Sequence, residues 1–393
     1  MSWDLLTPGQ QELRDLVRTL ARERIAPRAA EIDASHEFPW DIVELYREHG
    51  LFGLLFDEAD GGTGTGTLLA LVAIEEISKV CATSGLILAV QELGSLGLKL
   101  SGSPEQRARW LPRLASGEVL CAYALTEAGS GSDSAAMRTT ARRDGDAYVL
   151  DGSKRFITNA GVAGLYTVFA KSDPDAGHAG ISAFLVESDT PGFDVTRLEP
   201  KLGISGSTTG ELAFDGARVP AANLLGREGE GFRLAMRILD RSRPGVAAQG
   251  LGIAQGATDY ALEYARTRET MGKPIAEHQL IAAKLAEMET RCEAARGLLY
   301  RFGRMVDEGA QDGELTKAGA MAKLFCTDTA MWVTTEAVQI LGGYGYIKEY
   351  PVERMLRDAK ITQIYEGTNE IQRLVIAREM LREQRSFLLA GIA

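Results

Sequence analysis

Hydrophobic positions recur along this chain with two different periods, and the change of period divides it into three stretches. From Thr7 to about Ser116 the spacing is helical. Thr7-Pro8-Gly9-Gln10 is a helix start, with Thr as N-cap, Pro in the first turn and Gln three positions on. Leu13, Leu16, Val17, Leu20 and Ile25 follow at helical spacing. The pattern predicts a second helix over 40–49, closed by Gly50. It then predicts a long apolar helical region over 68–100, punctuated by Gly85, Gly94 and Gly97, and a short helix opened by Ser103-Pro104-Glu105-Gln106.

From 120 to 218 the runs become short, β-branched or aromatic, and are separated by turn pairs such as Asp144-Gly145 and Asp151-Gly152. Segments 139–143, 148–150, 155–158, 166–170, 181–186 and 211–214 read as strands, and hairpins this closely spaced predict an antiparallel barrel or sandwich. Helical periodicity returns near Gly231, with long amphipathic segments over 247–268, 277–307, 314–341 and 354–360. A last helix is expected over 369–378, N-capped by Thr368, with Ile371, Leu374 and Val375 facing inward. Pro244 predicts a kink, or a helix that begins just after it. The fold class is therefore mostly α with a central β domain. An N-terminal α-helical domain spans 1–119, a middle antiparallel β-barrel 120–229 and a C-terminal four-helix bundle 230–393.

Composition narrows the function classes. A chain of 393 residues, 45% of them hydrophobic, is long enough for a well-buried core. Its net charge of -11 and lack of a basic run exclude nucleic acid and an anionic membrane surface as expected partners. Cys81, Cys121, Cys292 and Cys326 are far apart, which fits reduced thiols. Residues 1–4 carry no leader pattern, and no apolar run approaches the ~20 residues that cross a bilayer. A cytoplasmic protein is the expectation. The phosphate-binding GxxxxGK[ST] loop, a GxGxxG after a strand and a GxSxG elbow are all missing, and the four histidines lack metal-ligand spacing, so no metal is expected.

Three stretches suggest chemistry instead. Ile364-Tyr365-Glu366-Gly367-Thr368-Asn369-Glu370 sets one carboxylate between an apolar lead-in and a glycine; burial there would raise its pKa and suit it to act as a base, while the plainer reading is a solvated loop Glu. Tyr123-Ala124-Leu125-Thr126-Glu127-Ala128-Gly129-Ser130-Gly131-Ser132-Asp133 is dense in small residues and hydroxyls, suited to close backbone approach by a ligand or to a plain connector. Phe156 and Thr158 lie two apart on a strand, hence on one side, where they suit a flat heteroaromatic ring; an ordinary core Phe is the alternative.

Taken in order with Arg266-Thr267-Arg268 through Gly272-Lys273-Pro274, Gln339-Ile340-Leu341-Gly342-Gly343-Tyr344-Gly345 and Arg357-Asp358-Ala359-Lys360, these motifs resemble the acyl-CoA dehydrogenase family, above all its short-chain and short-branched-chain members. The resemblance runs from about Thr7 to Leu381. It implies oxidation of a saturated acyl-CoA to trans-2-enoyl-CoA by tightly bound FAD. Glu366 would remove the α-proton while the β-hydrogen leaves as hydride to flavin N5. An α-proton beside a thioester is too weak an acid for a solvated carboxylate, so an apolar pocket and donors on the thioester oxygen must narrow the gap. In the family those donors are the backbone N–H of the catalytic Glu and a hydroxyl of FAD.

The same resemblance assigns Tyr123, Leu125, Thr126, Gly131 and Ser132 to FAD, together with Phe156, Ile157 and Thr158, and Thr368 and Glu370 beside the base. Arg268, Thr270, His278, Gln279, Gln339, Gly342 and Gly343 would form a second FAD set, reaching the cofactor of a neighbouring subunit in a homotetramer. Ser132, Asp240, Arg243, Tyr365 and Gly367 would contact the acyl-CoA, with Arg243 offering a cation to CoA phosphates. In one branch of the family the catalytic Glu lies on the helix near 239–243; that position here is Ser242, which leaves Glu366. The implied redox partner is an electron-transfer flavoprotein. The rivals are an acyl-CoA oxidase that uses oxygen, expected to carry a further C-terminal domain, and a non-catalytic acyl-CoA-binding scaffold.

Overall fold

The computed structural model describes residues 5–390, with side chains through Arg382; residues 1–4, read above as free of a leader, lie outside it. Six α-helices come first: α1 Pro8–Leu20, α2 Ala29–Ser35, α3 Trp40–Glu48, α4 Thr67–Ser78, α5 Ala82–Ser101 and α6 Pro104–Ala115. The capping boxes at Thr7 and Ser103 both form, the Gln10 and Gln106 amides donating to the cap hydroxyls at 3.4 and 3.2 Å. The expected single helical region over 68–100 is two helices. The break falls where Cys81 turns extended, not at the glycines. Those glycines serve packing instead. A Cβ on Gly94 would lie 2.6 Å from Cys121 Sγ and 3.0 Å from the Ala122 nitrogen, so α5 lies directly against the following strand.

The strands are β1 Cys121–Ala124, β2 Thr140–Asp144, β3 Ala147–Thr158, β4 Leu165–Lys171, β5 Ile181–Glu187, β6 Phe193–Leu198, β7 Thr209–Pro220 and β8 Leu224–Leu225. They form one sheet in the order β6-β7-β3-β2-β4-β5-β8, with β1 also on β4. The antiparallel expectation holds for most pairs. It fails for β1, which runs parallel to β4, and for the Thr140–Lys171 contact of β2 with β4, also parallel. The β2–β3 hairpin supplies the long crossover that a parallel neighbour needs. Among the described residues no ladder joins β6 to β8, so the expected closed barrel is an open path of pairing. Strands β4 and β5 are buried on both faces, which is why their runs are continuously apolar. One face joins Tyr148, Tyr166 and Phe214 in the sheet's own core; the other packs Phe169 and Leu185 against Leu96, Trp110 and Ile238 from the helices.

The C-terminal part contains α7 Gly231–Thr267, a short ribbon of β9 Glu269–Thr270 and β10 Lys273–Pro274, then α8 Gln279–Asp307, α9 Asp312–Leu341, α10 Val352–Thr362 and α11 Asn369–Ala390. Helix α7 does not begin after Pro244 but runs through it. Packing overrides the missing hydrogen bond: upstream Ile238 is buried against the sheet side, and downstream Ala247–Ala248 is buried among the helices. Thr368 caps α11 as expected, with Ile371 N–H on its hydroxyl at 3.3 Å. The expected inward face holds in part: Val375 is buried and Ile371 half-buried, but Leu374 is 66% exposed, and Asn369 and Gln372 point in instead. None of the described helices is long and apolar enough to cross a membrane.

Candidate active site

Between α10 and α11 the backbone makes two consecutive left-handed residues, Glu366 at φ +52° and Gly367 at φ +90°. A non-glycine there costs roughly 1–3 kcal/mol and persists only when its surroundings over-determine it. They do. The Gly367 carbonyl accepts from Lys323 Nζ at 2.9 Å and from Gln372 Nε2 at 2.9 Å. Asn369 N–H returns to the Gln363 carbonyl at 3.0 Å, and the Tyr365 hydroxyl donates to Gln249 Oε1. The turn aims the Glu366 carboxylate at α7, where Ser242 Oγ donates to its Oε2 at 2.5 Å.

Burial pushes the Glu366 carboxyl up to about 7; the Ser242 hydroxyl and the charges of Arg243 and Lys323 pull the other way, and Glu92 adds to the rise. Lys323 is fully buried, and burial drives its ammonium down to about 7 against the attraction of Glu366. The Glu366 N–H donates to no described residue.

Helix α5 runs antiparallel to α7. Gln249 Nε2 reaches the Ala82 carbonyl at 2.9 Å, and a Cβ on Gly245 would meet Ala89 at 3.6 Å. One turn further along both helices, Glu92 comes level with Ser242, and its carboxylate has no hydrogen-bond or ion-pair partner among the described residues. Its neighbour Gln91 is an anchor, donating to the Leu114 and Val119 carbonyls at 2.9 Å each. From β1, the Tyr123 hydroxyl is buried with no partner, in the field of both Glu366 and Arg243.

Arg243, expected at the CoA, is only 4% exposed and pairs with Asp240 at 2.5 Å, while Asp240 accepts from Thr316 at 2.7 Å. Its Nε is buried without a partner, and its charge also favours the ionised form of Glu366.

Beside this cluster lies an open cradle. Lys154, fully buried, donates to Glu127 at 2.7 Å and to the Leu125 carbonyl at 3.2 Å. Glu127 also accepts from Arg138 N–H at 2.6 Å and from Thr139 N–H at 3.0 Å, and Arg155 N–H donates to the Thr126 carbonyl at 2.8 Å. The loop from Leu125 to Thr139 is thereby locked to β3. On that strand Phe156 stands 57% exposed at φ +59°, at a shift in the β3–β7 register; Ile157 is core and Thr158 is half-buried. Nothing lies within 4 Å of a Cβ on Gly129 or Gly131, Ser132 is exposed, and the buried Thr208 hydroxyl has no partner. An exposed ring, two orphaned hydroxyls and open glycines fit a flat, polar-edged group such as a flavin.

The remaining sequence-predicted residues are elsewhere. Arg268, Thr270 and Gly343 line a cavity of about 420 Å³ with Tyr264 and Tyr344, and Thr270 Oγ1 meets His278 Nε2 at 3.1 Å. Gln279 begins α8, while Gln339 and Gly342 are exposed at the end of α9. Arg268 follows Ser242 by 26 residues of α7, about 39 Å at 1.5 Å per residue. The structure therefore brings Glu366, Tyr365, Gly367, Arg243, Asp240 and Tyr123 together and sets the second group apart. Exposed Glu370 faces away from the cluster's hydrogen bonds.

Sequence reasoning missed Lys323, Gln372 and Ser242's bond to the base. Lys323 did carry a signal: it is a lone lysine on the stripe of Leu315, Gly319, Cys326 and Ala330. Gln372 and Ser242 carried none.

Three family models match the chain: the acyl-CoA dehydrogenase N-terminal domain over residues 7–118, the middle domain over 122–217 and the C-terminal domain over 229–381. The chain is 50% identical to cyclohexane-1-carbonyl-CoA dehydrogenase of Geobacter metallireducens, over 94% of this chain and 96% of that one. Its fold superposes on butyryl-CoA dehydrogenase from Megasphaera elsdenii with a TM-score of 0.93 at 42% identity, covering 97% of this chain and 100% of that one. It superposes equally on a chain from a structure of the electron transferring flavoprotein of Acidaminococcus fermentans, with a TM-score of 0.94, 44% identity and coverages of 97% and 100%.

Proposed function

The chain belongs to the acyl-CoA dehydrogenase family, and from that premise we propose that it oxidises a short- or branched-chain acyl-CoA to the trans-2-enoyl-CoA with Glu366 as base. The observation that carries this reading is the Glu366 carboxylate, fixed on a left-handed turn with its pKa near 7 and bonded to Ser242. A carboxylate at its ordinary value is too weak for an α-proton, and one raised to about 7 is still half ionised at neutral pH. The Glu366 N–H is free to donate to the thioester oxygen and to stabilise charge that develops there.

FAD is the family's cofactor, and when bound it supplies the acceptor for the β-hydrogen and its electron pair. Tyr123, Leu125, Thr126, Gly131, Ser132, Phe156, Ile157 and Thr158 would hold its ring. The Arg268–Gly343 group lies about 39 Å away along α7, which suits a cofactor shared between two copies and favours the homotetramer. Butyryl and cyclohexane-1-carbonyl groups, named for two of the relatives, support a short or branched acyl chain. Electrons would pass to an electron-transfer flavoprotein, for which the Acidaminococcus likeness speaks. The same reading takes 1–119, 120–229 and 230–393 as the domains, with Ser132, Tyr365 and Gly367 at the substrate, in a cytoplasmic enzyme.

Anaerobic titration with a panel of acyl-CoAs, followed at the flavin absorbance, tests this. Bleaching by a short or branched member is expected. A flavoprotein that no acyl-CoA bleaches overturns the reading.

A further inference from the structure

Among the described residues Lys323 is the buried cation hydrogen-bonded to the base-bearing turn. It comes from α9, the helix that supports both α7 and α11, and its side chain is fully buried. Its ammonium donates to the Gly367 carbonyl at 2.9 Å and to Asn369 Oδ1 at 2.8 Å. Asn369 is held in turn: its amide donates to Thr327 Oγ1 at 2.9 Å and to Asp328 Oδ1 at 2.6 Å. The ammonium therefore grips the residue after the base and the first residue of α11 together. Removing it would leave the Gly367 carbonyl with Gln372 alone to hold a left-handed glutamate in place.

We propose that Lys323 is a positioning residue for the reaction, which fixes the Glu366–Gly367 turn and keeps the Glu366 carboxylate ionised in its desolvated pocket. This rests on Glu366 being the base. The groups facing Glu366 are Ser242 and Arg243 on α7, Lys323 on α9, Glu92 on α5, Tyr123 on β1 and the neighbouring Tyr365. Arg243 also favours the anion but is itself paired with Asp240, and Glu92 has the wrong sign. Among the described residues Lys323 has no carboxylate within ion-pair distance, so its unpaired charge adds to that of Arg243 in offsetting burial of the base; Asp328 and Glu370 act on it only from further off. Taking an opposite charge away from a carboxylate destabilises the anion and raises its pKa.

The test is the pH profile of anaerobic flavin reduction in single turnovers, for wild type, Lys323→Met, Lys323→Gln and Lys323→Arg. FAD content and thermal unfolding of each variant are measured alongside. In Met and Gln the acid limb should move up by at least about one pH unit. Gln can still donate to the Gly367 carbonyl, so its high-pH plateau should exceed that of Met, in which the turn is released. Lys323→Arg keeps the charge at every pH but cannot match the compact donor geometry, so its limb should not rise above the wild-type pH and its plateau should be lowered. A wild-type limb in a neutral variant that retains FAD overturns the proposal. So does an upward shift of the limb in Lys323→Arg, which decides the matter even if Lys323→Met and Lys323→Gln fail to fold. If wild type itself is bleached by no acyl-CoA, the proposed function has failed instead, and that outcome is separately visible.

Discussion

Ser242→Ala isolates the shortest contact made to the base. The hydroxyl donates to Glu366 Oε2 at 2.5 Å and so stabilises the charged form. A hydrogen bond to a charged group contributes about 1.5–3 kcal/mol, and each pKa unit corresponds to about 1.4 kcal/mol. Losing the bond should therefore raise the Glu366 pKa by about one to two units, from about 7. The sign follows from the state that reacts: the base must be ionised, so a higher pKa lowers the rate at neutral pH and leaves it unchanged once pH exceeds the new value. At pH 7 the ionised fraction falls from about a half to between about a tenth and a hundredth, a rate loss of about 5- to 50-fold. By about pH 10 the variant should match wild type. Stopped-flow reduction of the flavin by saturating acyl-CoA, repeated from pH 6 to 10, reads both ends. A uniform loss at every pH would mean that Ser242 shapes the site without acting on the charge of Glu366. An unmoved acid limb with full activity would refute the reasoning.

Glu366→Gln should retain FAD and still bind acyl-CoA, as judged by the spectral perturbation on adding ligand, yet lose nearly all flavin reduction; undiminished reduction would move the base elsewhere. Lys154→Met strips the buried cation from Glu127 and unlocks the 125–139 loop. Breaking one side of a buried pair costs about 3–5 kcal/mol, so urea unfolding should shift by that much, with FAD lost more readily on dialysis. Asp358, 4% exposed, accepts the Ile204 N–H at 2.5 Å where that residue is left-handed at φ +44°. Asp358→Ala orphans this donor and should cost about 1–3 kcal/mol, whereas Asp358→Asn, which keeps an acceptor, should cost less in the same unfolding measurement.

Much of the fold was legible in the chain because local signals agreed with it. Capping boxes at Thr7 and Ser103, the switch from helical to strand period near 120 and its return near 231 are decided within a few residues, and the structure keeps them. The Glu366-Gly367 motif announced a carboxylate in a special turn for the same reason: a glycine beside a lone acid amid apolar residues is a local statement. What the sequence could not settle depended on partners far along the chain. Helix α7 survives Pro244 because distant surfaces pack on both sides of it. Strand β1 pairs parallel to β4 across 40 intervening residues, and α11 turns Gln372 inward and Leu374 outward because a carbonyl 5 residues back needs a donor. Arg243 looked like a free cation until the fold buried it beside Asp240. The carboxylate's strength was decided in the same way: burial, Ser242 from 124 residues away and the charges of Arg243 and Lys323 set it together. Desolvation and charge act through space, so only the folded chain assigns them.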